Sequence, residues 1–454
     1  MNITPRFGDK EFYKKVLRVS VPSMLQQMLS SCMGIIDTMM VAWIGMVSAV
    51  GIGSQLEDIC FIIVFGVMEG IGIFAAQFFG AKDYSSMKKS FGLAALISVS
   101  AAFVFFILIT FFPVQIISFY VKDPEVIRNC AEYLSVVRFS YFALCLNFTF
   151  SYMFRCMQKT SVPMYIGVTT MVTNCICNYI LIFGHLGLPA MGVKGAALGT
   201  VIAQCLGLVC YITYAVVRKA PFIGSFSEMF SLRKPFVLPI LQTTYPVMLN
   251  EALFGFGQSM YIKAYALLGT TVTDAYYVGN TITRLFFSIC NGLSVASGMM
   301  LGAQLGAGER EQAITESRYF LTLSFLLAVF ATSFIIIFSS PIVSLFNLTD
   351  PAVRQMAVGV VRVSSVRISL RLVIVIIFAS LRAGGDAKYL MFLDSGVMWL
   401  YGIPLTYFLI MGLGMQNFIV VFLLVQSELL VRMLIGIRRF LSNKWAVNLT
   451  TLVE

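Results

Sequence analysis

Long uncharged stretches govern what this chain can become. Residues 94–115 and 320–339 contain no Asp, Glu, Lys or Arg. At ~1.5 Å of rise per residue, either stretch as a helix can cross ~30 Å of hydrocarbon. Their apolar character is continuous rather than alternating, which excludes barrel strands. Across 454 residues, 59% belong to the hydrophobic set and 12% are charged. A soluble domain has about 45–50% apolar and about 25% charged residues. A soluble fold cannot hide this much apolar surface, so lipid or other buried helices must meet it.

Breakers such as Asp123-Pro124, Pro163, Pro221 and Gly384-Gly385 divide the chain. They leave twelve expected spans: 16–44, 51–79, 91–113, 125–154, 162–183, 194–217, 237–268, 274–305, 315–339, 351–381, 388–411 and 417–437. With both termini cytoplasmic, the bulk of the 32 Lys and Arg falls on that side. Lys122, Arg128, Lys194 and Arg354 fall on the other. This bias fits the positive-inside rule and accounts for the net charge of +11 without nucleic acid. The basic N-terminus leads into a span too long for a signal sequence, so a retained first helix is expected. The ten Cys lie mostly within apolar runs and, with His185 the one histidine, read as small buried residues rather than metal ligands.

The second half repeats the first. AAQFFGAKDYSSMKKS (75–90) matches GAQLGAGEREQAITES (302–317), pairing Gln77 with Gln304 227 residues on. Asp123-Pro124 matches Asp350-Pro351, and Arg155 matches Arg382, at that same offset. Pro22 matches Pro246 at 224. Ordered matches at nearly one spacing indicate duplication. Six spans per copy enter the membrane the same way round, a parallel repeat about the membrane normal. The expected fold is therefore an all-α membrane protein of twelve transmembrane helices in two six-helix bundles, 1–218 and 237–454, joined by a cytoplasmic linker at 219–236.

Pro22 followed by Ile36-Asp37-Thr38, the segment AQFFGA (76–81), Asn174 with GHLGLPAMGVKGAALGT (184–200), Asn250-Glu251, and RAGGD (382–386) with Asp394, Trp399 and Pro404 form a recognisable set. In these residues the chain resembles the MATE (multidrug and toxic compound extrusion) transporters over almost its whole length. The resemblance implies a central cavity and export of small amphipathic, mostly cationic organic compounds in exchange for H⁺ or Na⁺. It also implies a bacterial inner-membrane location.

A charge within a span is a functional candidate by default. Asp37, with no basic residue within fifteen positions, can take up a proton or bind Na⁺ once withdrawn from water; the bland alternative is a structural bond to a neighbouring helix. By resemblance, Asn174, Asn178 and Thr200 join it in a coupling site. Members proposed to be proton-coupled have a second Asp where this chain has Asn178, which leaves Asp37 as the site's sole ionisable group. Glu251, Lys263, Arg284, Asp394 and Glu69 are the candidates for a substrate or cation cavity. For Glu251 and Asp394 the alternative is an ion pair with Lys263, Arg284 or an arginine of the tenth span. Arg362, Arg367 and Arg371, spaced five and four apart, share a helical stripe that suits either an anion-compatible cavity or acid partners. Arg138 is their counterpart in the first half.

No HExxH, G-x-S-x-G or Walker A motif is present, which disfavours an enzyme and an ATP-driven pump. The competing reading within the same fold is a flippase of a lipid-linked or polar precursor. No cofactor is expected beyond the coupling ion. The expected partners are small organic substrates and the lipid bilayer, with the protein a monomer.

Overall fold

The computed structural model describes residues 7–344 and 351–453, with backbone alone at Ile35, Thr270, Asp274, Val278, Thr281, Ile282, Arg284 and Leu285. The first half contains α1 (Lys10–Ala42), α2 (Val47–Gly80), α3 (Tyr84–Phe111), the short α4 (Pro113–Tyr120), α5 (Pro124–Val137), α6 (Ser140–Cys156), α7 (Ser161–Phe183) and α8 (Gly192–Val217). A one-turn helix, α9 (Phe226–Phe230), lies in the joining loop. The second half contains α10 (Lys234–Ala266), α11 (Thr270–Gly306), α12 (Arg310–Ser344) and α13 (Pro351–Ala383). It ends with α14 (Ala387–Gly412) and α15 (Phe418–Leu441).

The duplication is visible element by element. α1 and α10 are both 33 residues long and start 224 residues apart. α7 and α14, and likewise α8 and α15, start 226 apart. The turn between the second and third spans also repeats at 226, not the 227 that pairing Gln77 with Gln304 suggests. Ala81 and Ala307 cap the two helices, and Lys82 and Gly308 both adopt positive φ. The second copy has one residue fewer between its Gln and the Gly-Ala that ends the helix, which accounts for the difference.

The fourth span, expected as one helix over 125–154, is broken. α5 and α6 meet at 55°. No Pro or Gly marks the break. Ser140 Oγ donates to the Val137 carbonyl at 2.7 Å, occupying an acceptor that a continuous helix would use. Arg138, at the bend, donates to Thr110 Oγ1 at 3.1 Å and lies over the rings of Phe106 and Phe139. In the second copy the fourth span is the unbroken α13.

Eight helices among the described residues are apolar enough to cross a bilayer on length and composition, and the bent pair makes a ninth. The remaining spans are α1, α10 and α13. These three carry Asp37, Asn250 with Glu251, and Arg362, Arg367 and Arg371. Polar and charged residues inside these three spans go with their weaker lipid signature.

The chain divides into two compact units. One is Leu25–Leu241; the other is Gln242–Glu454 with the N-terminal stretch up to Met24. The division falls inside α1 and does not coincide with the 219–236 linker. Phe12, Val16 and Val19 of α1 are buried in a cluster with Leu293, Met300 and Phe320, which ties this end of the helix to the second unit. In the joining loop, Ser225 caps α9 and Glu228 returns the bond in a capping box. The Ser225 backbone N–H, with Lys88 at 3.0 Å, holds the Glu228 carboxyl below its ordinary value.

Candidate functional site

In the unit spanning Leu25–Leu241, three helices bring the four expected coupling residues together. Asn174 and Asn178 stand four apart on α7 and so share one face. Both are buried, at 0% and 2% exposure. Asn178 Nδ2 donates to Asp37 Oδ1 of α1 and to Asn174 Oδ1, each at 3.0 Å. Asn174 Nδ2 in turn donates to Thr200 Oγ1 of α8 at 3.4 Å. Gly199 makes this approach possible, since a Cβ there would overlap Asn178 Oδ1. That oxygen is buried with no hydrogen-bond partner among the described residues. No Lys or Arg among them pairs with Asp37, whose hydrogen-bond partner here is the neutral amide of Asn178.

Asp37 is not the only acid in this neighbourhood. Glu57 of α2 accepts a bond from Ser140 Oγ at 3.2 Å and lies close enough to Asp37 for their charges to interact. Sequence reasoning passed over it because Glu57-Asp58 falls near the start of its span and reads as an end charge. Its real signal was a double acid ahead of ten uncharged, mostly apolar residues, 59–68. Glu69, further along α2, is buried and accepts from Tyr152 Oη at 3.2 Å.

The other unit builds a different arrangement. Asn250 Nδ2 of α10 donates to Asp394 Oδ2 of α14 at 3.1 Å. The other Asp394 oxygen is bonded by Arg432 of α15. The same guanidinium bonds Glu428, one turn earlier on α15, and Glu428 also accepts from the Tyr261 hydroxyl. Ser395 Oγ closes the group by donating to Asn250 Oδ1 at 2.7 Å. Asp394 sits in the first of three π-helical turns in α14, and Gly402, in the second, leaves room for Tyr261 and Glu428. Turns of this kind re-aim side chains and are common at functional sites.

Glu251 faces Arg382 at 3.9 Å. Lys263 does not reach Glu251, because twelve residues along one helix is ~18 Å; it is exposed on α10. Arg284 lies on α11, with its side chain outside the described residues. Asp394 therefore pairs with an arginine of the last span, not of the tenth. Arg432 was missed because it precedes Arg438-Arg439 and reads as part of the terminal basic cluster. The i, i+4 pair Glu428–Arg432 inside an apolar run was the available clue. Of the arginine stripe, Arg362 is exposed and donates to Ser339 Oγ at 3.1 Å, while Arg367 and Arg371 lie over aromatic rings.

Comparison with known proteins gives these two arrangements a common context. The MatE family profile matches residues 22–180 and 246–408, one stretch in each repeat. The chain belongs to the MATE family. It is 23% identical to the probable multidrug resistance protein NorM of Thermotoga maritima, over 98% of this chain and 95% of that protein. It is 24% identical to the multidrug resistance protein MdtK of Yersinia pseudotuberculosis, over 94% and 95%. Among solved structures, a MATE protein in a bent conformation superimposes with a TM-score of 0.85 at 18% identity, covering 98% of this chain and 97% of that one. A MOP-superfamily transporter from Pyrococcus furiosus gives 0.83 at 18%, covering 97% and 98%. The twelve-span, all-α architecture is thus that of MATE carriers, multi-pass membrane transporters rather than enzymes. In this MATE chain the two repeats hold their half-buried carboxylates in unlike ways.

Proposed function

We propose that this protein is a multidrug exporter of the bacterial inner membrane, with both termini cytoplasmic. In this reading it exchanges small amphipathic, mostly cationic compounds for H⁺ or Na⁺ by alternating access. The names of the relatives support drug export, and the Lys and Arg distribution supports the orientation. The coupling role of Asp37 rests on one observation. This carboxylate is withdrawn into its unit, is bonded by the neutral Asn178, and has no basic partner among the described residues.

A carboxylate held by a guanidinium has its charge already answered. Asp37 does not, so an ion can neutralise it and leave again. A proton would bind the carboxyl directly. Na⁺ would draw on oxygens of Asp37, Asn174, Asn178 and Thr200, a hard-donor set. The unfilled acceptor Asn178 Oδ1 favours a cation beside Asp37. An ion entering down ~100 mV contributes ~2.3 kcal/mol per charge, in addition to its concentration gradient. Coupling follows only if the ion binds the two access states unequally.

The test is efflux of a cationic dye from proteoliposomes under separately imposed pH and Na⁺ gradients. One gradient is expected to drive efflux and D37N to remove that drive. Efflux of wild type and D37N at equal rates would remove Asp37 from the mechanism.

A further inference from the structure

Within the second unit, α10, α11, α13 and α15 enclose a small polar space of about 40 Å³. One water needs about 10–15 Å³ by the same kind of measure, so this space holds a few waters or one small polar head, not a whole drug. Three guanidinium groups line it, from Arg367, Arg371 and Arg432, against the single carboxylate of Glu428. Gln258 and the ring of Tyr265 complete the polar and aromatic walls.

The charges are unequally served. Arg432, 3% exposed, takes both Asp394 and Glu428, yet its Nε is buried without a hydrogen-bond partner among the described residues. Arg371 has its guanidinium carbon 5.2 Å from the Phe287 ring centroid and 5.6 Å from that of Phe254. Arg367 lies 5.6 Å from the Phe287 ring. Neither forms an ion pair with a described residue. A guanidinium over a ring keeps its in-plane N–H donors available, and those donors fit the oxygens of a carboxylate or phosphate. Charged groups in a span are costly unless paired, and among the described residues Arg367, Arg371, Arg382 and Arg432 stand with only Glu251, Asp394 and Glu428, one acid short. One anion completes the balance.

We propose that this space is an oxyanion site, holding a carboxylate or phosphate group between Arg367, Arg371 and Arg432. The protein would then accept acidic or zwitterionic amphiphiles as well as cations. The source of the oxyanion is either a dissolved organic acid or a lipid headgroup.

The proposal is tested by equilibrium binding, with no gradient, so it stands or falls apart from ion coupling. Full-length protein in phosphatidylcholine nanodiscs is titrated with dansylglycine, an amphipathic carboxylate, and competed with inorganic phosphate. Wild type and D37N are expected to bind alike. R367Q and R371Q are each expected to weaken binding about tenfold, the worth of a charge-assisted hydrogen bond. E428Q, which removes the negative charge from the lining, is expected to tighten it. A loosened fold would weaken all of these variants, so opposite shifts identify charge as the cause. Adding phosphatidylglycerol separates the sources. A loss of affinity in wild type but not in R371Q identifies a lipid headgroup, and equal behaviour identifies a dissolved acid; either result keeps the oxyanion site. Equal affinity of wild type, R367Q and R371Q, or no binding of dansylglycine or phosphate to wild type, would overturn it.

Discussion

The two repeats of this MATE protein keep half-buried acids under opposite conditions. In the unit spanning Leu25–Leu241, Asp37 meets the amide of Asn178 and, through it, Asn174 and Thr200. In the other unit, Asp394 is locked with Arg432, which also holds Glu428 and, through it, Tyr261. The 224-residue offset between α1 and α10 places Tyr261 where the first copy has Asp37. The 226-residue offset between α8 and α15 places Gln426 where it has Thr200. Duplication kept the helices and changed which positions carry ionisable groups. A carboxylate among neutral donors can change its charge at modest cost. One inside an ion triad cannot, because losing a partner strands a buried charge. The first unit is thereby suited to ion exchange, and the second has its acids committed and a surplus of guanidinium.

The sharpest way to break this contrast is R432M. It leaves Asp394 and Glu428 buried without their cation, and removing one partner of a buried pair costs ~3–5 kcal/mol. Thermal unfolding in detergent should fall steeply, and an unchanged midpoint would mean that the triad is not a structural unit. D37N comes next. Its stability is expected to stay near wild type, while dye efflux falls ~100-fold or more, equivalent to ~2.7 kcal/mol in barrier. A D37N protein that unfolds early yet still transports would reverse the roles assigned to the two units.

The paired glycines sharpen the comparison further. G402A would push a Cβ into Tyr261 and Glu428, and G199A would push one into Asn178. Overpacking of this kind costs ~1–3 kcal/mol. G402A should appear mainly as lost thermal stability and G199A mainly as lost efflux. The same readout for both would erase the distinction between a locked and an exchangeable site.

The smallest effect belongs to the joining loop. The Glu228 carboxyl, held chiefly by the Ser225 N–H and then by Lys88, sits below its ordinary value of 4.5. A folded value below the unfolded one favours the native state above that pH, and the benefit is lost as pH falls below it. E228Q should therefore lower the unfolding temperature slightly at pH 7 and not at pH 3. An equal decrease at both would point to lost packing instead of lost charge.

Much of this was legible in one sequence because the governing signals are local. Apolar runs end at Asp123-Pro124 and Gly384-Gly385, and the helices begin and end beside those residues. Asn174 and Asn178 announce a shared face by their spacing alone. Glu57, Glu428 and Arg432 were not legible as site residues. Each resembles an ordinary end charge or helix-surface pair, and its partner is remote in sequence. Ser140 lies 83 residues from Glu57, and Tyr261 lies 167 from Glu428. The bend between α5 and α6 was hidden for a related reason, since a serine hydroxyl, not a proline, takes up the carbonyl.

The amino-acid sequence by itself determined that the chain crosses a membrane, that it is a duplicated set of six spans, and that Asp37 stands in a span without a basic neighbour. Hydrocarbon forces these outcomes, because its thickness and its intolerance of unpaired backbone act on every run of residues separately. Only the tertiary structure decided which buried acids are answered by a cation. That depends on which helices pack together, and a side chain's electrostatic partner is set by distance in space, where Arg432 lies beside Asp394 and no described Lys or Arg pairs with Asp37.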